Sequence, residues 1–493
     1  MAPDLVLGVD IGTTATKAVA FAAPDGAAHG HGEALHRLDE PEPGAAVQDP
    51  EALWEAVGDA VRDAVAGLDP ARVAVLAFSS AMHGLLALDA GGDPVGPLLT
   101  WADSRAADVA RELRGREGAL ALHRRTGTPV HPMSPLVKLA WLRRARPSLH
   151  AAAFTWGGVK EFVLVRATGA RVADTSVASG TGLLDVGAGT WDPEALAIAG
   201  ITADALGTPV APTAVVGRLR VRDWGLPAGV PVVAGGGDGP LANLGVGAVR
   251  PGVAACSIGT SGALRVTVER PAVDPRGRVF CYGLADERWV VGGAITNGGL
   301  VLDWAREALH RDVDDLLAAA AAVPAGADGL LALPHLLPER APHWDIGGAG
   351  ALVGLRRRHG AGHVTRALLE GVCLQLRLVL DSMREAGLAV HEVRATGGFA
   401  RSDLWRRLLT DALGLPVGFP TVDQGSAFGA ALLGMQGVGL LPPGPEGLVA
   451  AADRIPVDET RHPGPDEETY RARLPLFEQV HTALADVIAA TGR

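Results

Sequence analysis

One short string occurs twice, half a chain apart. Residues 6–18 read VLGVDIGTTATKA and residues 253–265 read VAACSIGTSGALR. Each is an apolar run, then Ile-Gly-Thr with a second hydroxyl, then small residues returning to apolar ones. Each predicts a β-hairpin with a turn rich in Gly and hydroxyls. Gly12 and Gly259 would let phosphate oxygens approach backbone N–H groups. A repeat at half of 493 residues predicts two similar halves. Two such loops suggest a nucleotide held between two lobes. The length gives each half enough chain for its own core. The boundary is expected near 245–252, at Pro251–Gly252, giving domains 1–247 and 248–493.

The pattern between the repeats predicts strands alternating with helices. Strands are expected at 4–10, 15–22, 72–78, 85–89 and 231–239, and helices at 50–66, 102–114, 135–146, 158–167 and 193–199. LANLGVGA, from Leu241, starts a further helix. The second half repeats the style, with strands at 253–269, a hairpin near 279–293 and a strand at 394–399. Its helices are expected at 297–308, 312–322, 361–387, from Ser402, at 424–437 and at 467–490. This alternation means an α/β chain with mixed sheets. No low-complexity linker interrupts it, so two closely packed lobes that hinge are expected.

Composition narrows the function. A net charge of −11 and the lack of a basic, aromatic-interleaved tract argue against nucleic acid. Arg143–Arg144–Arg146 and Arg356–Arg358 read as solvated helix faces. No apolar run reaches membrane-span length. The first strand begins by Leu5, which leaves no room for a leader. Cys256, Cys281 and Cys373 have no metal-like spacing and read as buried thiols in a reducing cytoplasm. Of 44 cationic residues only Lys17, Lys138 and Lys160 are lysine. A lysine kept in an arginine-dominated chain marks a place that suits a compact ammonium better than a planar guanidinium; chance survival is the plain alternative.

Several segments carry chemistry. Asp10 precedes Gly12, Thr13, Thr14 and Lys17. A carboxylate there suits an indirect Mg²⁺ ligand, since Mg²⁺ keeps several waters and takes one or two carboxylates; otherwise it is a turn Asp. Asp238, in AGGGDGP, would accept a proton from a hydroxyl attacking a phosphoryl group, or would cap the next helix. Met82 and His83 in SSAMHG end a buried strand, where a polar side chain can bond a polyol. Trp101 and Asp103 in LLTWADSRA offer a sugar an apolar plate and an acceptor; alternatively Trp101 is core and Asp103 caps a helix at 104–114. In the second half Gly259, Thr260 and Ser261 would cradle outer phosphates. Gly298 in TNGGLVLDW and Gly397–Gly398 in ATGGFARS would line a nucleoside pocket. Walker A and protein-kinase motifs are missing from the sequence.

Read in order, these segments resemble the FGGY carbohydrate kinases of the actin-like ATPase superfamily. The resemblance runs through DIGTT, SSAMHG, TWADSRA, RTGTPVHPMSPLVKLAWL, KEFV, DTSVASGTGLLD, GGGDG, SIGTSG, ERAPHWD, LLEGVCLQLR, TGGFARS and QGSAFGAA. SSAMH and TGTPVHPMSPLVKLAWL look gluconokinase-like, where xylulokinase-like members have GQMH. The resemblance implies a duplicated, ribonuclease H-like two-lobe fold with the active site in the interlobe cleft. It implies ATP-dependent phosphorylation of D-gluconate to 6-phospho-D-gluconate with Mg²⁺. It also implies a cytoplasmic location and a possible homodimer. Position by position, Asp238 falls on the catalytic base and Asp10 on the metal- and phosphate-organising acid. Gly12, Thr13, Thr14, Thr260, Gly298 and Gly398 fall on nucleotide contacts, with Lys17 close by. Met82, His83, Trp101 and Met133 fall on the sugar side. Ser402 stands where glycerol-kinase-like members often have an Asn against the adenine. A carboxylate substrate needs a cation, and Arg105, His131, Lys138 and Lys160 are the candidates, the two lysines foremost. Lys138 would otherwise be solvated on its helix, and Lys160 paired with an internal acid. The rival readings are a kinase of xylulose or another pentulose, and a non-catalytic actin-like ATPase or sugar sensor.

Overall fold

The computed structural model describes residues 3–23, 26–285, 287–344, 348–421 and 424–491. Leu5–Ile11 (β1) is an apolar run buried along almost its whole length, as expected of a strand covered on both faces. Around it are β2 (Ala15–Ala22), β3 (Ala28–Leu35), β4 (Val73–Ser80), β5 (Val215–Arg218) and β6 (Pro231–Gly237), in the order β5-β6-β4-β1-β2-β3. β1 pairs antiparallel with β2 and parallel with β4, β4 pairs parallel with β6, and β6 antiparallel with β5.

The second half builds the same pattern. Its strands are β7 (Val253–Ile258), β8 (Gly262–Val268), β9 (Arg288–Ile295), β10 (Glu392–Thr396), β11 (Val417–Pro420) and β12 (Val457–Arg461). They run β12-β11-β10-β7-β8-β9, with Phe280–Ala285 as a seventh strand outside β9. β7 pairs antiparallel with β8 and parallel with β10, β10 parallel with β11, and β11 antiparallel with β12. From β12 to β8, order and direction therefore match the first sheet from β5 to β2; the seventh strand has no counterpart in the first sheet. The turns differ: the first closes on the pair Ile11–Thr16, the second, one residue tighter, on Ile258–Gly262.

The helices cover these sheets. They include α1 (Pro50–Val65), α2 (Pro135–Ala145), α3 (Val159–Thr168), α4 (Thr175–Ser179) and α5 (Asp238–Gly245). Farther along come α6 (Leu300–Leu309), α7 (Ala361–Glu385), α8 (Asp403–Leu413), α9 (Gly425–Gly437) and α10 (Glu467–Thr491). Asp49 caps α1 by accepting from Glu51 N, and Pro50 begins it with φ already set. Leu53, Val57, Ala60, Val61 and Ala64 of α1 are buried with Leu5, Leu7, Val9 and Ile11. Alternate residues of a strand face opposite ways, so Val6 and Gly8 face α9. A Cβ on Gly8 would lie 2.0 Å from Ala427 O. That contact requires a helix of small residues and explains GSAFGAALLG.

The described residues gather into two units. One takes Met1–Arg250, Thr267–Val290 and Val422–Ile455; the other takes Pro251–Val266, Val291–Thr421 and Pro456–Arg493. In the second unit, buried Arg366 donates to Glu370 at 2.8 Å and to Tyr470 Oη at 3.0 Å, which pins α10 to α7. Three expected helix starts move. The helix expected from 102 begins at Ala107, because Asp103 turns inward instead. The helix expected from Leu241 begins at Asp238. The helix expected from 297 begins at Leu300, because Gly298 and Gly299 donate their N–H groups to the 259–260 turn. No described helix is long and apolar enough to cross a membrane.

Candidate active site

β1, β4 and β6 run parallel, so their C-terminal ends share one edge, the edge where open α/β sheets bind ligands. Asp10, Ser79 and Gly236 stand in one row across the three strands, and Ile11, Ser80 and Gly237 in the next. Asp238 and Gly12 follow directly. Two carboxylates from distant sequence thus meet one sheet edge. A left-handed Gly235 (φ +72°) makes this possible: a Cβ there would lie 1.7 Å from Phe78 O.

Asp10 Oδ1 accepts from Ser79 Oγ at 2.7 Å, and Lys17 is its cross-strand partner. Burial pushes its carboxyl up, while Ser79 and Lys17 pull it down. Lys17 lies 3.8 Å from Glu33. Among the described residues no group of three His, Cys, Asp or Glu gathers as a metal cage. A hydrated Mg²⁺ needs only one or two carboxylates, and Asp10 fits that requirement. Asp238 is not a helix N-cap: Gly237 holds that position, and the carboxylate of Asp238 accepts from Gly239 N at 2.7 Å. Ser426 Oγ donates to its carbonyl at 3.2 Å, tying α9 to the start of α5.

Thr13 is supported from two sides. Trp101 Nε1 donates to its hydroxyl at 3.0 Å, and buried Gln48 donates to its carbonyl at 2.8 Å. Half-exposed Trp101 therefore belongs to the first loop rather than to the core. His83 has φ +66°, a conformation costing a side-chain-bearing residue about 1–3 kcal/mol. Its Nδ1 lies 2.8 Å from Gly180 O, and its ring meets Tyr282 edge-on at 5.6 Å. Met82 packs on Gly237 and Gly180, and Met133 is buried.

The residues around 174–183 bind this side together. Ser176 Oγ accepts from Gly237 N, Ser179 Oγ accepts from Gly283 N, and Thr128 donates to Ser179 O. Ser176, Ser179 and Tyr282 were not among the expected site residues. The only signal for the serines was the run of small hydroxyl residues in DTSVASGTG, which by itself reads as a turn.

All four expected carboxylate-binding cations are engaged by protein groups. Arg105 pairs with Asp103 at 2.6 Å and with Glu42 at 2.6 Å, and stacks over Trp141. Asp103 in turn accepts from Ala46 N and Arg105 N, so it neither caps a helix nor faces a sugar as an uncommitted acceptor. Lys160 is wholly buried against Asp174 at 2.6 Å. Neighbouring Glu161 accepts from Gly158 N at 2.7 Å; burial, then Asp174, pushes its carboxyl up. Lys138 is wholly buried rather than solvated and donates to the carbonyls of His83 (2.8 Å), Thr100 (2.6 Å) and Met133 (2.9 Å). An ammonium has three donors, and all are used. His131 Nδ1 accepts from Met133 N at 3.3 Å, which selects the Nε2–H tautomer.

In the second unit the repeated loop is exposed at Gly259 and Thr260, with Ser261 half-exposed. Gly298 N donates to Thr260 O at 3.1 Å and Gly299 N to Gly259 O at 2.6 Å, so TNGG backs that loop. Buried Glu339, from ERAPHWD, holds Thr296 N and Asn297 Nδ2; Asp345, the last residue of that motif, lies outside the described residues. Gly397 packs on Ile258, and Gly398 faces open space. Ser402 Oγ caps α8, accepting from Trp405 N at 3.3 Å. The three cysteines are buried free thiols, with Cys256 and Cys281 pushed up to about 12 by burial.

Comparison with known proteins decides the family. Residues 5–245 match the N-terminal domain of the FGGY family of carbohydrate kinases, and residues 254–437 match its C-terminal domain. The chain belongs to the FGGY carbohydrate kinases. The kinase is 36% identical to a gluconokinase of Bacillus subtilis (strain 168), covering 98% of each chain. It is 30% identical to a xylulose kinase of Escherichia coli (strain K12), covering 98% of this chain and all of that one. A solved gluconate kinase from Lactobacillus acidophilus superposes with a TM-score of 0.92 at 32% identity, covering 98% of each chain. A ligand-bound xylulose kinase from the same organism superposes with a TM-score of 0.92 at 33% identity and the same coverage. The kinase uses ATP as phosphate donor and acts on a sugar substrate.

Proposed function

We propose that the kinase transfers the γ-phosphoryl group of ATP to the primary hydroxyl of D-gluconate, giving 6-phospho-D-gluconate and ADP in the cytoplasm. The observation that carries gluconate over its rival is the full-length similarity to a gluconokinase at 36%, against 30% for a xylulose kinase. Asp238 serves as general base. The hydroxyl oxygen forms its bond to phosphorus, the bond to the β-phosphate oxygen breaks, and the hydroxyl proton passes to the Asp238 carboxylate. Its position at the strand edge it shares with Asp10 supports this role. Gly12, Thr13 and Thr14 contact phosphate, with Lys17 supplying positive charge. Gly259, Thr260, Ser261, Gly298, Gly397 and Gly398 serve the nucleotide, and Ser402 stands near the base. Asp10 holds Mg²⁺ through water. The ion, when bound, offsets charge on the phosphates. Met82, His83, Trp101 and Met133 line the sugar.

His131, two residues from Met133 on the sugar side, is the side chain proposed to read the carboxylate of gluconate. Xylulose remains the second reading, supported by the xylulose kinase of TM-score 0.92. The test is an ADP-release assay over gluconate, xylulose, glycerol and related sugars. Gluconate should give the highest kcat/KM; a pentulose ahead of it would overturn the substrate assignment. His131→Ala should raise KM for gluconate more than KM for an uncharged polyol of the same length. Equal changes would remove His131 from carboxylate recognition.

A further inference from the structure

We propose that Lys138 positions the sugar side of the site, one ammonium holding three substrate-facing segments by their backbone carbonyls. The inference rests on the sugar-side reading above. The three carbonyls belong to His83, Thr100 and Met133, on loops far apart in sequence. His83 and Met133 are themselves proposed to touch sugar. Thr100 precedes Trp101, whose indole reaches Thr13 of the phosphate loop. Fixing the 83–84, 100–101 and 133–134 peptide planes therefore fixes three contact residues and the left-handed backbone of His83. Lysine suits this place because its compact tetrahedral head can meet three carbonyls, whereas a planar guanidinium cannot point its donors that way. Lys138 is one of three lysines in a chain that otherwise uses arginine.

The clamp needs its charge. A neutral amine keeps two N–H donors and must release one carbonyl. Burial brings the Lys138 ammonium down to about 7, with Asp103 opposing and Arg105 assisting. The titratable neighbours on the surrounding loops are Asp103 and Arg105, paired with each other, then His83 and His131. The helices packed on α2 bring Glu112, paired with Arg116 and Arg144, Glu194, paired with Arg125, and His150, bonded to Ala199 O. The deprotonation that loosens the clamp is that of Lys138. Affinity for sugar then falls in proportion to the charged fraction.

The test uses the full-length enzyme and the panel sugar it phosphorylates best. KM for that sugar should rise above pH 7 by about tenfold per pH unit, while KM for ATP does not. Lys138→Met should raise the sugar KM by at least about tenfold at neutral pH and flatten its pH profile, with ATP KM little changed. Because the chain has three lysines, ¹³Cε-lysine NMR of the unmutated enzyme gives three signals, and Lys17→Arg assigns one. Saturation with sugar should move the midpoint of one buried-lysine signal upward. A sugar KM flat across pH 7 would overturn the clamp, and so would lysine midpoints indifferent to sugar. Failure to phosphorylate any panel sugar would overturn the functional reading and this inference with it.

Discussion

Lys160 and Lys138 are both wholly buried, yet one meets a carboxylate and the other only carbonyls. Removing Lys160 would leave Asp174 charged and buried alone, and Asp174 also caps α4 by accepting from Val177 N. Lys160→Met should therefore cost about 3–5 kcal/mol of stability, read as a lowered thermal midpoint. Lys160→Met with Asp174→Asn should recover part of that loss. Asp238→Asn keeps the shape and loses the proton acceptor. Its kcat should fall about 10²–10⁴-fold with both KM values held within a few-fold, measured by steady-state kinetics; a kcat near the parent value removes Asp238 from the base role. Asp10 must be ionised to organise the metal, and burial holds its carboxyl above the usual range. The rate should therefore decline on the acid side sooner than for an ordinary carboxylate. Saturating Mg²⁺, which favours the charged form, should move that decline to lower pH. Asp10→Ala should abolish this Mg²⁺ dependence of the acid limb.

At the scale of elements, α9 shows what small residues do. It lies directly on β1, and Gly434 reaches Val6, Val75 and Ala77. Gly8→Ala adds one methyl 2.0 Å from a backbone carbonyl that cannot move away alone. Separating helix from sheet should cost about 1–3 kcal/mol, and a thermal melt of the variant measures it. An unchanged midpoint would mean that the helix shifts freely. The hairpin turns repeat the lesson in reverse: similar strings, IGTT and IGTS, close with different registers, because the partner residues beyond the turn decide where the ladder resumes.

At the scale of the molecule, the first unit draws on three stretches of chain. Residues 1–250 produced alone lack α9, which covers one face of β1 and β4. That fragment should fail to fold cooperatively, and adding residues 267–290 and 422–455 in trans should restore a sigmoidal melt. Cooperative unfolding of the fragment alone would sink this view. The sequence by itself determined the two matching hairpins, the α/β alternation, most helix positions and the acids beside Gly-rich strand ends, because these depend on local periodicity and turn chemistry. It also carried the family motifs in their order. Tertiary structure decided what the cations do. Lys138, Lys160 and Arg105 read alike as candidate partners for a carboxylate. Their roles depend on which carbonyl or carboxylate another stretch brings within 3 Å, and Thr100, Asp174 and Glu42 all lie outside the helix or turn that carries the cation. Tertiary structure also decided that α9, written after β11, belongs to the first sheet, since only packing reveals which flat surface a small-residue helix can approach.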